Sequence, residues 1–209
     1  MARTLFLLVF ATALSLATAR AIRRHRRQRL QQHAVAAASK SPTAELPEPC
    51  QRCKDAAAGA GVHVEVRVFE SELPTAAAAA SELGVETSAV TNSLVFEIRT
   101  SGQEREPILV LAPGDRRVDP GKLAALLGVA KSKIKSASPE AVLRYSGYAA
   151  GGVAPFGHLH KPARTFIEER VFANEEIWCG AGIKPAMLKC TPAQLVQATG
   201  GERVELAQD

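Results

Sequence analysis

At 209 residues the chain is long enough for one domain of ordinary size plus an appendage, and too short for two full domains. A hydrophobic content of 46% supports a real core, 22% charged residues with few aromatics argue against both disorder and a membrane protein, and four cysteines do not make a disulfide scaffold. The formal charge of +5 belongs to one end: residues 1–44 hold eight of the 26 basic residues and none of the 21 acidic ones, so 18 basic residues face 21 acids in the rest, and nucleic-acid binding must be argued from a local patch.

Leu5 to Ala19 is an apolar run of 15 residues. As a helix it spans roughly 22 Å, short of the roughly 30 Å of a bilayer core. It ends in Ala17-Thr18-Ala19, a small-x-small cleavage pattern, and reads as a secretory signal peptide. The Arg- and Ala-rich, acid-free stretch that follows has the composition of an organelle transit peptide. The two-part leader, residues 1–44, is that of a plastid protein crossing extra membranes; a mitochondrial presequence and a plain secretory signal are the alternatives. No stable membrane association is expected after processing.

Pro42, Pro47 and Pro49 read as a linker, and residues 50–60 as a helix ending at Gly61. In residues 62–69, Val62, Val64, Val66 and Val68 alternate with polar residues, which predicts a strand with one buried face. Thr75 caps an alanine-rich helix that stops at Gly84. Residues 93–100 and 107–112 are expected to form a hairpin around a polar loop. Asp119-Pro120, Ser138-Pro139 and Thr191-Pro192 each start a helix, with a capping side chain before Pro at the first helical position; Gly128, Gly147 and Gly200 mark the ends. Short strands are expected at about 133–137, 164–171, 186–190 and 202–206. Hairpins mixed with helical crossovers predict a single α+β domain over residues 45–209, with a mixed sheet surrounded by helices.

Five of the twelve residues from Gly147 to His158 are Gly or Pro. Such a loop lets backbone approach a ligand closely, and successive amides can hold an anion; a tight connection is the plainer meaning. Cys50 and Cys53 have CxxC spacing, but zinc needs a second pair, and Cys179 and Cys190 have ten residues between them. His158, His160 and Cys179 form the remaining conceivable metal set. Loop histidines and isolated thiols are commoner, and no metal or other cofactor is expected. Lys131, Lys133 and Lys135 alternate; on a strand they would point one way at roughly 6.6 Å spacing, close to a nucleic-acid backbone repeat. With Arg116 and Arg117 they are candidates for an acceptor-stem contact, against a solvated strand face. Trp178 either lines a pocket or packs in the core.

The segments from Pro113 to Gly128 and from Ser136 to His158, with the helix after Thr75, the strand at Asn92–Ile98 and the helix after Thr191, resemble the YbaK/prolyl-tRNA-synthetase-associated domain family. The resemblance runs from about Cys50 to Leu206. It implies a compact α+β fold with a partly rolled sheet and a pocket for the aminoacyl-adenosine end of tRNA. The family's GxxxP loop falls on Gly151–Pro155. The resemblance implies that Asn92, Gly151 and Gly152 are catalytic, and that Ser93, Val153, Pro155, Phe156, His158, Cys179 and Gly180 bind substrate. Two positions depart from the pattern. Asn92 stands where active members commonly carry Lys, and Ala186 where many carry Asp; both changes remove charge. The chain is therefore closer to an Asn-bearing subgroup.

The implied function is hydrolysis, in trans, of the ester in a mischarged tRNA, with the aminoacyl-tRNA acceptor end as partner. A binding module of the same fold without turnover is the runner-up, and a hydrolase of another activated ester the third reading. The leader reading predicts that protein isolated from its native cell lacks about the first 40 residues. N-terminal sequencing checks this, and a mature start at Met1 or Ala2 refutes it.

Overall fold

The computed structural model describes residues 45–99 and 104–208; the leader expected over residues 1–44 and the tip of the hairpin loop lie outside the described residues. The chain opens with helix α1 (Glu48–Gly59). Pro47 and Pro49 are the start of this helix and not a linker, since the first helical turn has no use for their missing N–H groups. Strand β1 (Glu65–Val68) follows, then helix α2 (Ala76–Leu83), with the Thr75 side chain accepting from Ala78 N. Strands β2 (Val90–Arg99) and β3 (Arg105–Pro113) form the expected hairpin. Helices α3 (Pro120–Leu127) and α4 (Pro139–Ser146) flank strand β4 (Ile134–Ser136). Strands β5 (Arg164–Glu168), β6 (Ile177–Gly180) and β7 (Ala186–Cys190) come next, and helix α5 (Pro192–Thr199) and strand β8 (Glu202–Val204) close the chain. The three Pro-started helices use the expected caps: Asp119 accepts from Gly121 N, Ser138 from Ala141 N, and Thr191 joins Gln194 in a reciprocal capping box.

The eight strands make one mixed sheet in the order β1-β7-β6-β2-β3-β5-β8, with β4 also paired to β2. The β2–β6, β3–β5 and β5–β8 pairs are parallel and the rest antiparallel. One core packs α1 and α5 against the face carrying Leu109, Leu111, Ile167 and Leu188. A second joins α3 to Phe96, Val110 and Phe166. This is the expected α+β domain.

Several elements differ from expectation. The strand at Val62–Phe69 is shorter than its alternation suggests. It is an edge strand paired only to β7, and Val68 is 37% exposed where one buried face was expected. The strand expected over 164–171 ends at Glu168, whose carboxylate accepts from Arg170 N and turns the chain into a 3-10 helix, Glu169–Ala173. Strand β6 gives no alternation signal, because Ile177, Trp178 and Cys179 are all buried. Strand β4 falls within the expected 133–137, but Lys131–Lys133 is a 3-10 turn and only Lys135 lies on β4, so the three lysines do not share one strand face.

Glu97, 3% exposed in the middle of the sheet, explains Lys135. Lys135 Nζ lies 2.9 Å from Glu97 Oε2, and Tyr145 Oη donates to Oε1 at 3.2 Å. Burial acts to raise this carboxyl, but the hydrogen bonds from Lys135 and Tyr145 and the charges of Lys135 and Arg105 outweigh it and hold it below the usual range. A depressed folded-state pKa means stabilisation that is present at neutral pH and lost as pH falls through the carboxylate range. Glu97→Gln is therefore expected to cost about 1–3 kcal/mol at pH 7 and progressively less toward pH 3. Urea denaturation across that pH range checks it; a pH-independent difference would refute the ion-pair origin.

Candidate active site

Strand β2 changes partner along one edge. Val90 and Thr91 pair with β6, while Phe96–Ile98 pair with β4. Among the described residues, 92–94 have no strand partner on that edge. A cavity of about 360 Å³ lies there, within the range of small-ligand pockets. Val90–Leu94 form one wall, and Leu73–Ala76 with Ala79 a second. Gly151 and Val153 supply a third, and Gly180, Lys184, Ala186 and Met187 the fourth.

Two glycines make the third and fourth walls meet. A Cβ on Gly152 would sit 2.7 Å from the Ile183 carbonyl carbon, and one on Gly180 2.8 Å from the Val153 oxygen. Gly182 N donates to Gly152 O at 2.9 Å, so loop and hairpin are joined through backbone. Gly151, at φ 89°, turns the chain where side-chain-bearing residues are strained. Gly152 N–H donates to Ala149 O, so it is spent within the turn. Gly151 N–H has no partner among the described residues. Of the two glycines that the resemblance implies are catalytic, only Gly151 keeps an unpartnered amide among the described residues.

The loop is held from behind by α1. Arg52 donates to the carbonyls of Ser146 (3.1 Å), Gly147 (2.8 Å) and Gly157 (2.6 Å), and its guanidinium stacks 4.2 Å over the Tyr148 ring. Tyr148 Oη donates to Phe156 O, and His158 Nε2 lies 2.7 Å from Ala154 O. Burial keeps the His158 pKa below its usual value, so the ring is neutral at pH 7. Sequence reasoning missed Arg52 because it looked only at the flanking cysteines. Cys50 and Cys53 are buried and free, and burial first, then neighbouring thiols, pushes the Cys53 thiol up. Among the described residues no group of three or more His, Cys, Asp or Glu is placed to hold a metal.

Asn92, Ser93, Gly151, Val153 and Gly180 therefore line the cavity together. Gly152, Pro155, Phe156, His158 and Cys179 are not on that lining. Asn92 is inside β2, opposite Ala112, and its amide has no partner among the described residues. Ser93 Oγ is buried without a hydrogen-bond partner among the described residues, and Thr91 Oγ1 is buried beside the Cys179 thiol. Ala186, the second position that departs from the expected pattern, is on the same lining. Lys184 was not foreseen; an exposed lysine in a turn gives no sequence signal. Trp178 is off the cavity, between Arg67 and Lys189. Arg116 and Arg117 follow Gly114, which packs on Ala76 of α2. Lys135 pairs with Glu97, three residues beyond Leu94 at the end of the cavity wall, roughly 10 Å farther along β2.

The aminoacyl-tRNA editing domain matches residues 70–198 of the chain. The chain belongs to this family. The editing domain is 30% identical over 131 residues to the uncharacterised protein YwhH of Bacillus subtilis (strain 168), a stretch of 63% of this chain and 78% of that protein. It is 26% identical over 132 residues (63% of this chain, 76% of the relative) to EbsC of Enterococcus faecalis (strain ATCC 700802 / V583), named as a candidate Cys-tRNA(Pro)/Cys-tRNA(Cys) deacylase. A crystal structure described as a candidate trans-editing enzyme for prolyl-tRNA synthetase superposes with a TM-score of 0.72 at 29% identity, covering 79% of this chain and all of the other. Helix α1, which carries Arg52, precedes the matched residues.

Replacing Arg52 with Met should cost about 2–4 kcal/mol, since it leaves the Gly147 and Gly157 carbonyls without a donor and the Ser146 carbonyl with Leu159 N–H alone. Arg52→Lys should recover less than half, because one ammonium does not reproduce the guanidinium fork. Urea unfolding measures both, and a loss under about 0.5 kcal/mol for Arg52→Met would remove the clamp from the account.

Proposed function

We propose that the editing domain hydrolyses, in trans, the ester joining a wrong amino acid to the acceptor end of a tRNA. The observation that carries this reading is convergence. Asn92, Gly151 and Ala186, far apart in sequence, line one cavity, and each is a position the family resemblance marks as functional. The prolyl-tRNA trans-editing description of the structural neighbour and the deacylase name of EbsC support the same reaction class.

An aminoacyl ester is already activated, so its hydrolysis needs a placed water, an oxyanion donor and a bounded cavity. The free Gly151 N–H supplies the donor, an interaction worth on the order of 3 kcal/mol. The Asn92 amide orients the carbonyl or the adjacent ribose hydroxyl without carrying charge. Arg116 and Arg117 adjoin the cavity through Gly114 and Ala76, and these arginines are the better-placed acceptor-stem contacts. The lysine segment faces the stem only if the tRNA extends roughly 10 Å along β2 beyond the cavity. The acid-free leader supports delivery to a plastid.

Purified domain assayed against a panel of mischarged tRNAs should show slow, real deacylation. Gly151→Val should nearly abolish it, because valine is strained at φ 89° and its branch meets Lys184. Asn92→Ala should lower the rate by about tenfold, the equivalent of roughly 1.4 kcal/mol, and Asn92→Lys should raise it. Binding of charged tRNA with no turnover across the whole panel, in wild type and Asn92→Lys alike, would leave a binding module in place of an enzyme.

A further inference from the structure

We propose that Lys184 is the residue through which the cavity holds the terminal phosphodiester of the tRNA acceptor end; the proposal rests on the editing reading of this cavity. Lys184 is the one charged residue on the cavity lining among the described residues. Its stem lies along Gly151: a Cβ there would be 3.3 Å from Lys184 Cε and 3.7 Å from Cγ. The stem is thus laid over the glycine that offers the free amide, and its ammonium is carried to the rim.

At the rim the ammonium has a weak partner. Lys184 Nζ is 3.8 Å from Glu72 Oε2, beyond hydrogen-bond reach, and the two side chains are 46% and 68% exposed. An ion pair of that length and exposure contributes little and is exchanged readily for a better anion. Glu72 lies on the segment before α2, beside the lining residues Leu73 and Pro74, so the pair bridges two walls of the mouth.

Depth separates the roles. Asn92, Ser93 and Ala186 are neutral residues of the lining, while the cation stands at the entrance. An aminoacyl ester carries an amino group that is partly cationic at neutral pH, which an ammonium repels. The anion of the substrate is its phosphodiester, and that group reaches the entrance when the ester is inside. Lys184 then holds the nucleotide and Glu72 is released. Lys184 is a positioning residue: it acts on binding and not at the reacting carbonyl.

The test compares wild type, Lys184→Met, Lys184→Arg and Glu72→Gln on two substrates, a mischarged tRNA and the matching phosphate-free aminoacyl-adenosine. Binding of a non-hydrolysable acceptor-stem helix with an amide-linked amino acid is titrated against salt in parallel. Lys184→Met should raise KM for the tRNA and Kd for the helix by about tenfold, leave kcat within about twofold, and lower the log–log salt slope by about 0.7, the value for one single-strand phosphate contact. Lys184→Met should affect aminoacyl-adenosine kcat/KM far less than tRNA kcat/KM, by under about threefold, Lys184→Arg should restore binding, and Glu72→Gln should tighten it. Loss of aminoacyl-adenosine turnover in Lys184→Met would place the lysine at the ester and overturn the proposal, as would an unchanged Kd and salt slope. If wild type binds the helix but turns over nothing, the editing reading fails, and Kd and slope still decide the role of Lys184.

Discussion

Strand β2 cannot satisfy one of its edges with a single neighbour, and the cavity is the result. The start of the strand is held by β6 in parallel and the end by β4 in antiparallel, and the two partners leave residues 92–94 unpaired between them. In a continuous sheet those backbone groups would be bonded and covered. Here they border a space that the segment before α2, the glycine loop and the β6–β7 hairpin close from the other sides. The site is therefore a gap in the hydrogen-bond ladder of an otherwise complete sheet.

A gap has use only if its walls keep their positions, and the wall most at risk is a loop without regular hydrogen bonds. Its fixation comes from behind. The Arg52 guanidinium collects three carbonyls at the loop's two ends, Tyr148 reaches Phe156, and His158 meets Ala154. These contacts lie away from the cavity and leave its face to backbone, with Gly152 joined to Gly182 and the Gly151 amide free. Side chains such as Phe156 and His158 thus support the site without lining it. Helix α1 is part of this support although it precedes the residues that define the family match.

The lining has little charge. Asn92, Ser93 and Ala186 are neutral, and the one charged residue among the described lining residues, Lys184, stands at the mouth. A neutral interior suits chemistry that depends on backbone geometry and on a substrate already activated for hydrolysis. It also separates recognition of the nucleotide, which is charged, from accommodation of the amino acid.

Local signals in the sequence were reliable wherever a few neighbouring residues decide the outcome. Thr75, Asp119, Ser138 and Thr191 cap helices because a cap needs only a side chain and an amide two or three residues on. The β2–β3 hairpin, the mixed sheet and the glycine loop were legible for the same reason, and the family pattern pointed to Asn92, Gly151 and Ala186. Sequence could not show which residues share a wall. Strand β6 is too short and too evenly buried to alternate, so the partner that ends beside Thr91 was invisible, and with it the gap. Lys135 was legible as a cation but not as the partner of Glu97, 38 positions earlier. Arg52 and Lys184 carry no local signature, since each matters through atoms about 100 or 30 residues away that only folding brings near. Local backbone preference is encoded residue by residue; the cavity depends on how distant strands exchange partners, and the tertiary structure alone decides that.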